Sequence, residues 1–302
     1  MVSMRIGILT RNENAWCSLQ LKQAIVKMGA EPLCISFEDV FVRVGCTPRV
    51  ETRDVPVEKQ LDAIIVRPVS GGSLEEIIFR MDLLHRVEAL GVYVVNPPTA
   101  IERAADKFYA LALLEDKGIC VPRTLVAENP VAVLKAFKEF NGDIVFKPLF
   151  GSRGVGVTRV KDRDTAFRIS RTLSYFRHVI YIQEFIPHGY SDVRAFVVGD
   201  KVVAAMRRLG IGWKTNVAQG AIPKFHEVSR RNEELAVKAA KTLGCEVAGV
   251  DMMETEAGEC YVNEVNSQPD WRGLQSVSKV WLAEEIIKHV LSHVHRCEKG
   301  VR

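Results

Sequence analysis

Short apolar runs alternate with amphipathic stretches through the first third of the chain. Arg5–Thr10, Pro32–Ser36, Asp62–Val66 and Val92–Val95 are rich in aliphatic residues and read as strands. Between them, Trp16–Met28 has helical spacing and stops at Gly29, and Ser73–Leu90 is a long helix that stops at Gly91. Strands alternating with helices predict a parallel sheet with helices packed on it. Asn96-Pro97-Pro98 breaks the pattern, so a first domain is expected over residues 1–97.

The pattern then changes. A helix is expected near Asp106–Lys117, a strand at Thr124–Val126, a helix at Pro130–Phe140 and a strand at Asp143–Lys147. A glycine-rich stretch, a returning strand Gly156–Val160 and a helix Arg163–Phe176 follow, which makes residues 98–182 a central lobe. A third lobe, residues 183–302, opens with Asp192–Val198 and Lys201–Arg208 flanking Gly199-Asp200, a hairpin signal. Paired without irregularity, that hairpin sets Asp192 opposite Arg207 and Ser191 opposite Arg208; a bulge would change the register. A helix Asn232–Leu243 ends at Gly244. The runs Val247–Val250 and Tyr261–Asn266 then flank a turn at Glu254–Gly258, and a last helix covers Leu274–His293. The fold class is α/β, with α+β lobes after the parallel sheet.

Composition narrows the function. At 47% apolar and 26% charged residues, the 302-residue chain is a folded protein with a large core. A net charge of +4, from 41 basic and 37 acidic residues, is too balanced to argue for nucleic acid but suits an anionic small substrate. Seven scattered cysteines without a CxxC pair point to reduced thiols and a cytoplasmic setting. Neither a signal peptide nor a membrane span is expected.

The chemistry-bearing residues are polar side chains on or beside apolar runs. Asp251, Glu264 and Asn266 fall on the two late strands. Glu264 and Asn266 share a face, and pairing would bring Asp251 beside them. Three oxygen donors suit Mg²⁺ or Mn²⁺; an acidic hairpin on a solvated edge is the bland alternative. Lys147 ends an apolar strand, where a charge needs a partner such as phosphate, unless its stem snorkels to the surface. Lys107 opens a helix, where an anion is welcome and a cation is not. The loop Phe150-Gly151-Ser152-Arg153-Gly154-Val155-Gly156 joins two strands and is neither a Walker loop nor a dinucleotide fingerprint. Its glycines could still lay N–H groups over phosphates, or form an ordinary hairpin. Glu184 and Phe185 leave a strand as a possible heterocycle edge or as a plain strand exit. Trp213-Lys214-Thr215-Asn216 groups cation, hydroxyl and amide, which suits phosphate or a developing oxyanion. Trp271 and Arg272 could stack on and pair with an acceptor, or staple a helix start. His289 and His293 read as a solvated helix face.

Taken in order from Asn96 to His289, these pieces resemble the ATP-grasp ligases, in their RimK-like α-L-glutamate ligase branch. The specific parts are Asp106-Lys107, Val145–Pro148, the Gly151–Gly156 loop, Gln183–Ile186, Asp192–Arg194, Thr215-Asn216, Gly249–Asp251 and Asn263–Asn266. The resemblance implies a pre-ATP-grasp domain followed by two lobes that clamp ATP. It assigns Lys107, Lys147, Gly151, Ser152, Gly154, Gly156, Glu184, Phe185, Asp192, Lys214, Thr215 and Asn216 to the nucleotide. Arg208 and Asn216 become the reaction-site residues, with Asp251, Glu264 and Asn266 as ligands of two Mg²⁺ or Mn²⁺ ions. Lys214 stands where many relatives carry arginine. The implied reaction is two-step: a carboxylate takes the γ-phosphoryl of ATP, and the α-amine of L-glutamate displaces phosphate.

Trp16, Arg194, Trp271 and Arg272 are the acceptor candidates. Asn12–Ser18, the Arg67-Pro68 exit and Arg80–His85 resemble the branch that acts on tetrahydromethanopterin, although Asp270 replaces the glycine usual there. A deazaflavin coenzyme, a ribosomal-protein tail, an amino-group carrier protein and a non-catalytic nucleotide regulator are the competing expectations. The family implies a homodimer or homotetramer.

Overall fold

The computed structural model describes residues 4–69, 71–151 and 154–300, with side chains described to Val294. The N-terminal part comprises β1 (Arg5–Leu9), α1 (Trp16–Lys27), β2 (Glu31–Ile35), β3 (Val40–Val42), β4 (Val50–Thr52), β5 (Val55–Pro56), α2 (Val57–Gln60), β6 (Ala63–Val66), α3 (Leu74–Ala89) and β7 (Tyr93–Val95). Four of these strands form a parallel sheet in the order β2-β1-β6-β7. Ile6, Ile8, Ala63 and Ile65 face α1, while Leu9, Ile64 and Val66 face α3. Burial on both faces explains why these strands read as unbroken apolar runs. A capping box between Ser73 and Glu76 starts α3. The antiparallel β3-β4-β5 sheet was not foreseen, because strands of two or three residues carry no readable alternation.

Strand order reverses between β1 and β6. The chain leaves β1 in one direction through α1 and leaves β6 in the other through α3. In open α/β sheets the carboxyl ends at such a reversal frame a crevice that binds ligands.

Helix α4 (Pro98–Ala105) begins on Pro98, so the expected breaker is a helix start. Asn96 beside it is buried. Its Nδ2 donates to the Val247 carbonyl (2.7 Å), and its Oδ1 accepts from the Glu246 and Val247 amides. After α5 (Lys107–Asp116) come β8 (Thr124–Ala127), α6 (Val131–Glu139), β9 (Ile144–Phe146), β10 (Thr158–Val160), α7 (Arg163–Tyr175) and β11 (Ile180–Glu184). The second sheet runs β10-β9-β11-β8 and is antiparallel, with α6 and α7 over its apolar face. Glu184 still pairs with Ile144. A division at residues 182 and 183 therefore cuts a strand; the chain leaves this sheet only in the loop after Glu184.

The last part holds β12 (Ser191–Val198), β13 (Lys201–Leu209), β14 (Ile222–Phe225), α8 (Arg230–Leu243), β15 (Val247–Glu254), β16 (Cys260–Asn266), α9 (Arg272–Gln275) and α10 (Leu282–Gly300). Its antiparallel sheet runs β14-β13-β12-β15-β16. α8 covers one face. The other packs with α10, α1 and the parallel sheet into a common core. No helix among the described residues is long and apolar enough to cross a membrane.

Trp271 belongs to that common core and corrects an expectation. It is 1% exposed, edge-to-face with Trp16 at 6.3 Å and with Phe196 at 6.1 Å. Its ring is a structural joint between the first and last sheets and not an open stacking surface. Trp271→Ala is expected to lower the unfolding free energy by about 3–5 kcal/mol. Urea denaturation measures this, and a loss below about 1 kcal/mol would contradict the assignment.

Candidate functional site

The second and third sheets share a cleft. Lys147, Tyr181, Gln183 and Glu184 line one side, and Asp192, Arg208, Asp251, Met253, Asn263 and Glu264 line the other. The glycine-rich loop and the Trp213–Asn216 segment close its ends.

Two β-bulges decide what faces this cleft. The first lies between Phe196 and Val197 and shifts the hairpin by one residue, so Asp192 pairs with Arg208 and Ser191 with Leu209. The unbulged expectation, Asp192 opposite Arg207, is corrected by this extra residue. Arg207 turns to the opposite face and pairs with Glu254 at 2.5 Å. Arg208 grips Asp192 with two bonds, Nε to Oδ1 at 2.7 Å and Nη2 to Oδ2 at 2.5 Å. Its Nη2 also lies 3.0 Å from Asp251 Oδ2. Thr215 Oγ1 donates to Asp192 at 2.6 Å. Arg194 donates to both Asp251 oxygens, at 2.6 and 2.7 Å.

These ions are buried: Arg208 is 3%, Asp192 4% and Asp251 2% exposed. Burial works against the Arg208 charge, yet Asp251 and Asp192 together hold it above its ordinary basicity. Burial likewise opposes ionisation of Asp251, yet Arg194 and Arg208 hold its carboxyl below the usual range. In this structure Asp192 orients Arg208 and Thr215, and Arg194 is engaged by Asp251.

The second bulge lies between Asp251 and Met252. It pairs Asp251 with Glu264 and Gly249 with Asn266, so Asp251, Glu264 and Asn266 share one face. The same bulge turns Asn263 toward the cleft, where its Oδ1 accepts from Lys147 Nζ at 2.8 Å. In an unbulged strand Asn263 would face away from Glu264, so strand alternation alone does not find it. Gln183 is a second unforeseen partner and accepts from Lys147 Nζ at 2.5 Å. Burial is the main cause that pushes the Lys147 ammonium down to about 8, with Glu264 opposing and Lys107 adding to it. By surface area Lys147 is only half-buried; the dense packing around its Nζ governs the shift.

The oxygen donors fit a hard divalent cation. The Glu264 carboxylate is half-buried in the cleft, and among the described residues it accepts no hydrogen bond and makes no ion pair. Such an orphan invites a cation. Asn266 donates to the Gly249 carbonyl at 3.4 Å. Asp251 already has arginine on both oxygens, so a cation would compete with Arg194.

The remaining expected residues are placed as follows. Lys107 Nζ donates to the carbonyls of Gly151 (2.7 Å) and Leu149 (3.3 Å), and so braces the glycine-rich loop. Asp106 caps its helix. Gly154, at φ +71°, abuts Asn216, and a side chain there would meet Asn216 Oδ1. Gly156, at φ +74°, packs on Pro148. Ser152 lies outside the described residues. The Glu184 carboxylate is held by Arg123 at 2.6 Å. Phe185 lies under the Arg159 guanidinium at 3.3 Å and edge-on to Trp213 at 6.1 Å. Lys214 stands 5.4 Å above the Trp213 ring. Arg272 stands 5.5 Å over Trp16, which opens α1 after the carboxyl end of β1.

The solvated face expected at His289 and His293 is corrected. His289 Nε2 bonds Glu246 at 2.6 Å, and His293 stacks on Tyr93 at 5.3 Å. The Tyr93 hydroxyl also donates to Glu246. Burial opposes the Glu246 charge, but these bonds hold its carboxyl below the ordinary range. The cluster ties α10 to the start of β15, away from the cleft.

An N-terminal parallel sheet joined to two antiparallel lobes over a glycine-loop cleft defines a nucleotide-dependent ligase of the ATP-grasp class. The RimK PreATP-grasp domain family matches residues 4–101, and the RimK-like ATP-grasp domain family matches residues 104–290. The chain belongs to the RimK-like ATP-grasp family and is an acid–amino-acid ligase of the α-L-glutamate ligase type. It is 35% identical to a tetrahydromethanopterin:α-L-glutamate ligase of Methanococcus maripaludis, over 96% of this chain and 99% of that one. It is 31% identical to a probable α-L-glutamate ligase 2 of Shewanella denitrificans, over 96% of both chains. Among solved structures, the ATP-grasp ligase PsnB complexed with minimal precursor superposes with a TM-score of 0.76 at 22% identity, over 96% of this chain and 99% of that one. That likeness shows the fold.

Two outcomes follow from the cleft. In the free protein, Lys147 holds its proton below about pH 8 and loses it above. Between there and its unfolded value the unfolded chain carries more protons, so this group favours folding more as pH rises. A bound phosphate restores its charge. ADP binding at pH 8 is therefore expected to take up about half a proton, seen by calorimetry in buffers of different ionisation enthalpy; zero uptake would contradict this. Arg208→Ala leaves buried Asp192 with Thr215 but no cation and is expected to cost about 3–5 kcal/mol of stability in chemical denaturation. An unchanged midpoint would show that the network contributes nothing.

Proposed function

We propose that this ligase joins the α-amine of L-glutamate to a carboxylate-bearing coenzyme, of which tetrahydromethanopterin is the first candidate, through an acyl phosphate and with release of ADP and phosphate. The observation that supports it is the convergence of Lys107, Lys147 and Arg208 on one cleft beside Glu264, which among the described residues makes no ion pair. The reaction brings a triphosphate, an acceptor carboxylate and glutamate together, and their mutual repulsion is its main obstacle. Preorganised buried cations offset that repulsion without reorganising.

Each residue has a role on this reading. Lys147 and Lys107 bind phosphate oxygens. Phe185 and Trp213 form the apolar wall for a heterocycle. Arg208, held by Asp192, faces the developing charge on the acyl carbon's oxygen, with Asn216 beside it. Glu264, Asp251 and Asn266 would hold two Mg²⁺ or Mn²⁺ ions, which neutralise the phosphates when bound. Gly154 and Gly156 let the loop lie close over the site and exclude water from a hydrolysable acyl phosphate. Support for the acceptor comes from the relatives named tetrahydromethanopterin:α-L-glutamate ligase and from Trp16 and Arg272 beside the carboxyl end of β1. A protein tail or precursor peptide is the competing acceptor, favoured by the peptide-bound neighbours.

The test is incubation with ATP, Mg²⁺, L-glutamate and either tetrahydromethanopterin or a peptide acceptor. The expected result is ADP, phosphate and an acceptor heavier by one glutamyl unit, all lost when metal is chelated. AMP and pyrophosphate would overturn the acyl-phosphate route, and turnover with peptide alone would overturn the coenzyme.

A further inference from the structure

Arg67 follows β6 at the carboxyl end of the parallel sheet, in the crevice where strand order reverses. It is 7% exposed, and among the described residues it makes no ion pair. One of its nitrogens, Nη2, donates to the Pro269 carbonyl at 3.0 Å. Among the described residues the other donors have no hydrogen-bond partner, yet they are not sealed off. Among the described residues the wholly buried, unpartnered side-chain polar atoms are Thr52 Oγ1 and Trp271 Nε1 alone. The free part of the fork therefore keeps some contact with solvent.

The surroundings hold this guanidinium in place. Its face stacks on the buried Trp271 ring at 4.6 Å. Gln268 clamps the backbone on both sides, accepting from the Val69 amide at 3.1 Å and donating to the Arg67 carbonyl at 3.2 Å. The titratable groups that favour its charge are Cys17 and Asp270. The Asp270 carboxylate is occupied elsewhere, accepting from the Arg272 amide at 2.9 Å and lying 3.9 Å from Cys17 Sγ. A buried, oriented cation without a counter-ion is costly unless a ligand supplies one.

Pro269 links this point to the reaction cleft. A side chain at Gly249 would meet Pro269 at 3.1 Å and Arg194 at 3.7 Å, and Arg194 grips Asp251. Arg67 thus lies one packed layer beyond the metal-facing hairpin, on the side of the parallel sheet.

We infer that Arg67 is a carboxylate-binding residue that fixes one of the two organic substrates in the crevice between the parallel sheet and the late hairpin. A planar fork against a planar carboxylate gives two parallel bonds and sets direction as well as affinity. The inference rests on the ligase reading, which supplies two sources for the carboxylate: incoming L-glutamate, or the distal carboxylate of the acceptor.

Calorimetric titration separates them. L-glutamate and tetrahydromethanopterin are titrated separately into wild-type and Arg67→Gln protein saturated with Mg²⁺ and ADP. The expected result is a Kd raised tenfold or more for one of the two, with the other and that of ADP within twofold. Arg67→Lys, which keeps charge but loses the fork, is expected to fall between, and it decides the matter if Arg67→Gln does not fold. Equal affinities in all proteins, a loss shared by all ligands, or a wild type that binds neither compound would overturn the inference. A wild type that binds as expected yet releases no ADP in the assay above would instead overturn the ligase reading.

Discussion

Arg208, clasped between Asp192 and Asp251 in a nearly dry interior, is the interaction on which the site depends. Two carboxylates share one guanidinium, and Arg194 supplies the second cation. Such an arrangement is a weak source of stability, since desolvation cancels much of the attraction. It is a strong source of position, because each ion is held from more than one direction. The network spans adjacent strands, β12, β13 and β15, and Thr215 carries it into the loop that bears Asn216. A cation arriving at Glu264 would meet a field already balanced around Asp251, and Arg194 is the side chain that would have to yield.

The first sheet is not an appendage to this site. Asn96 bonds the backbone at the start of β15, Glu246 bonds Tyr93 and His289, and Arg67 reaches the carbonyl of Pro269. These links cross from the parallel sheet to the strand that carries Asp251 and to the segment after Asn266. Trp271 packs the same boundary with apolar surface. The crevice at the sheet's carboxyl end is thereby held against the hairpin, which suits a reaction whose substrates meet between two domains.

Much of this was legible in the sequence, for identifiable reasons. The parallel strands announced themselves because both faces are buried, and α3 and α8 because Ser73, Gly91 and Gly244 mark their ends. Glu264 and Asn266 were readable as sharing a face because strand alternation is local, and the second bulge is what brings Asp251 to that face. The partner of Asp192 was not, because one extra residue in β13, Val203 opposite the Phe196–Val197 step, moves every pair beyond it. Asn263 was hidden by the second bulge in the same way. Trp271 looked like a ligand platform because a tryptophan beside an arginine has the same pattern in a core as in a site; only its neighbours Trp16 and Phe196 distinguish the two. His289 was misjudged because its partner, Glu246, is remote in sequence.

The central claim is that the bulged hairpin and Lys147 together hold a metal-bound nucleotide. Diffraction from crystals grown with ADP and Mn²⁺, collected at the manganese edge, tests it most directly. Anomalous density is expected against Glu264 and Asp251, with Arg194 turned away and the phosphates on Lys147. Manganese density elsewhere, with Arg194 still clasping Asp251 beneath a bound nucleotide, would contradict it.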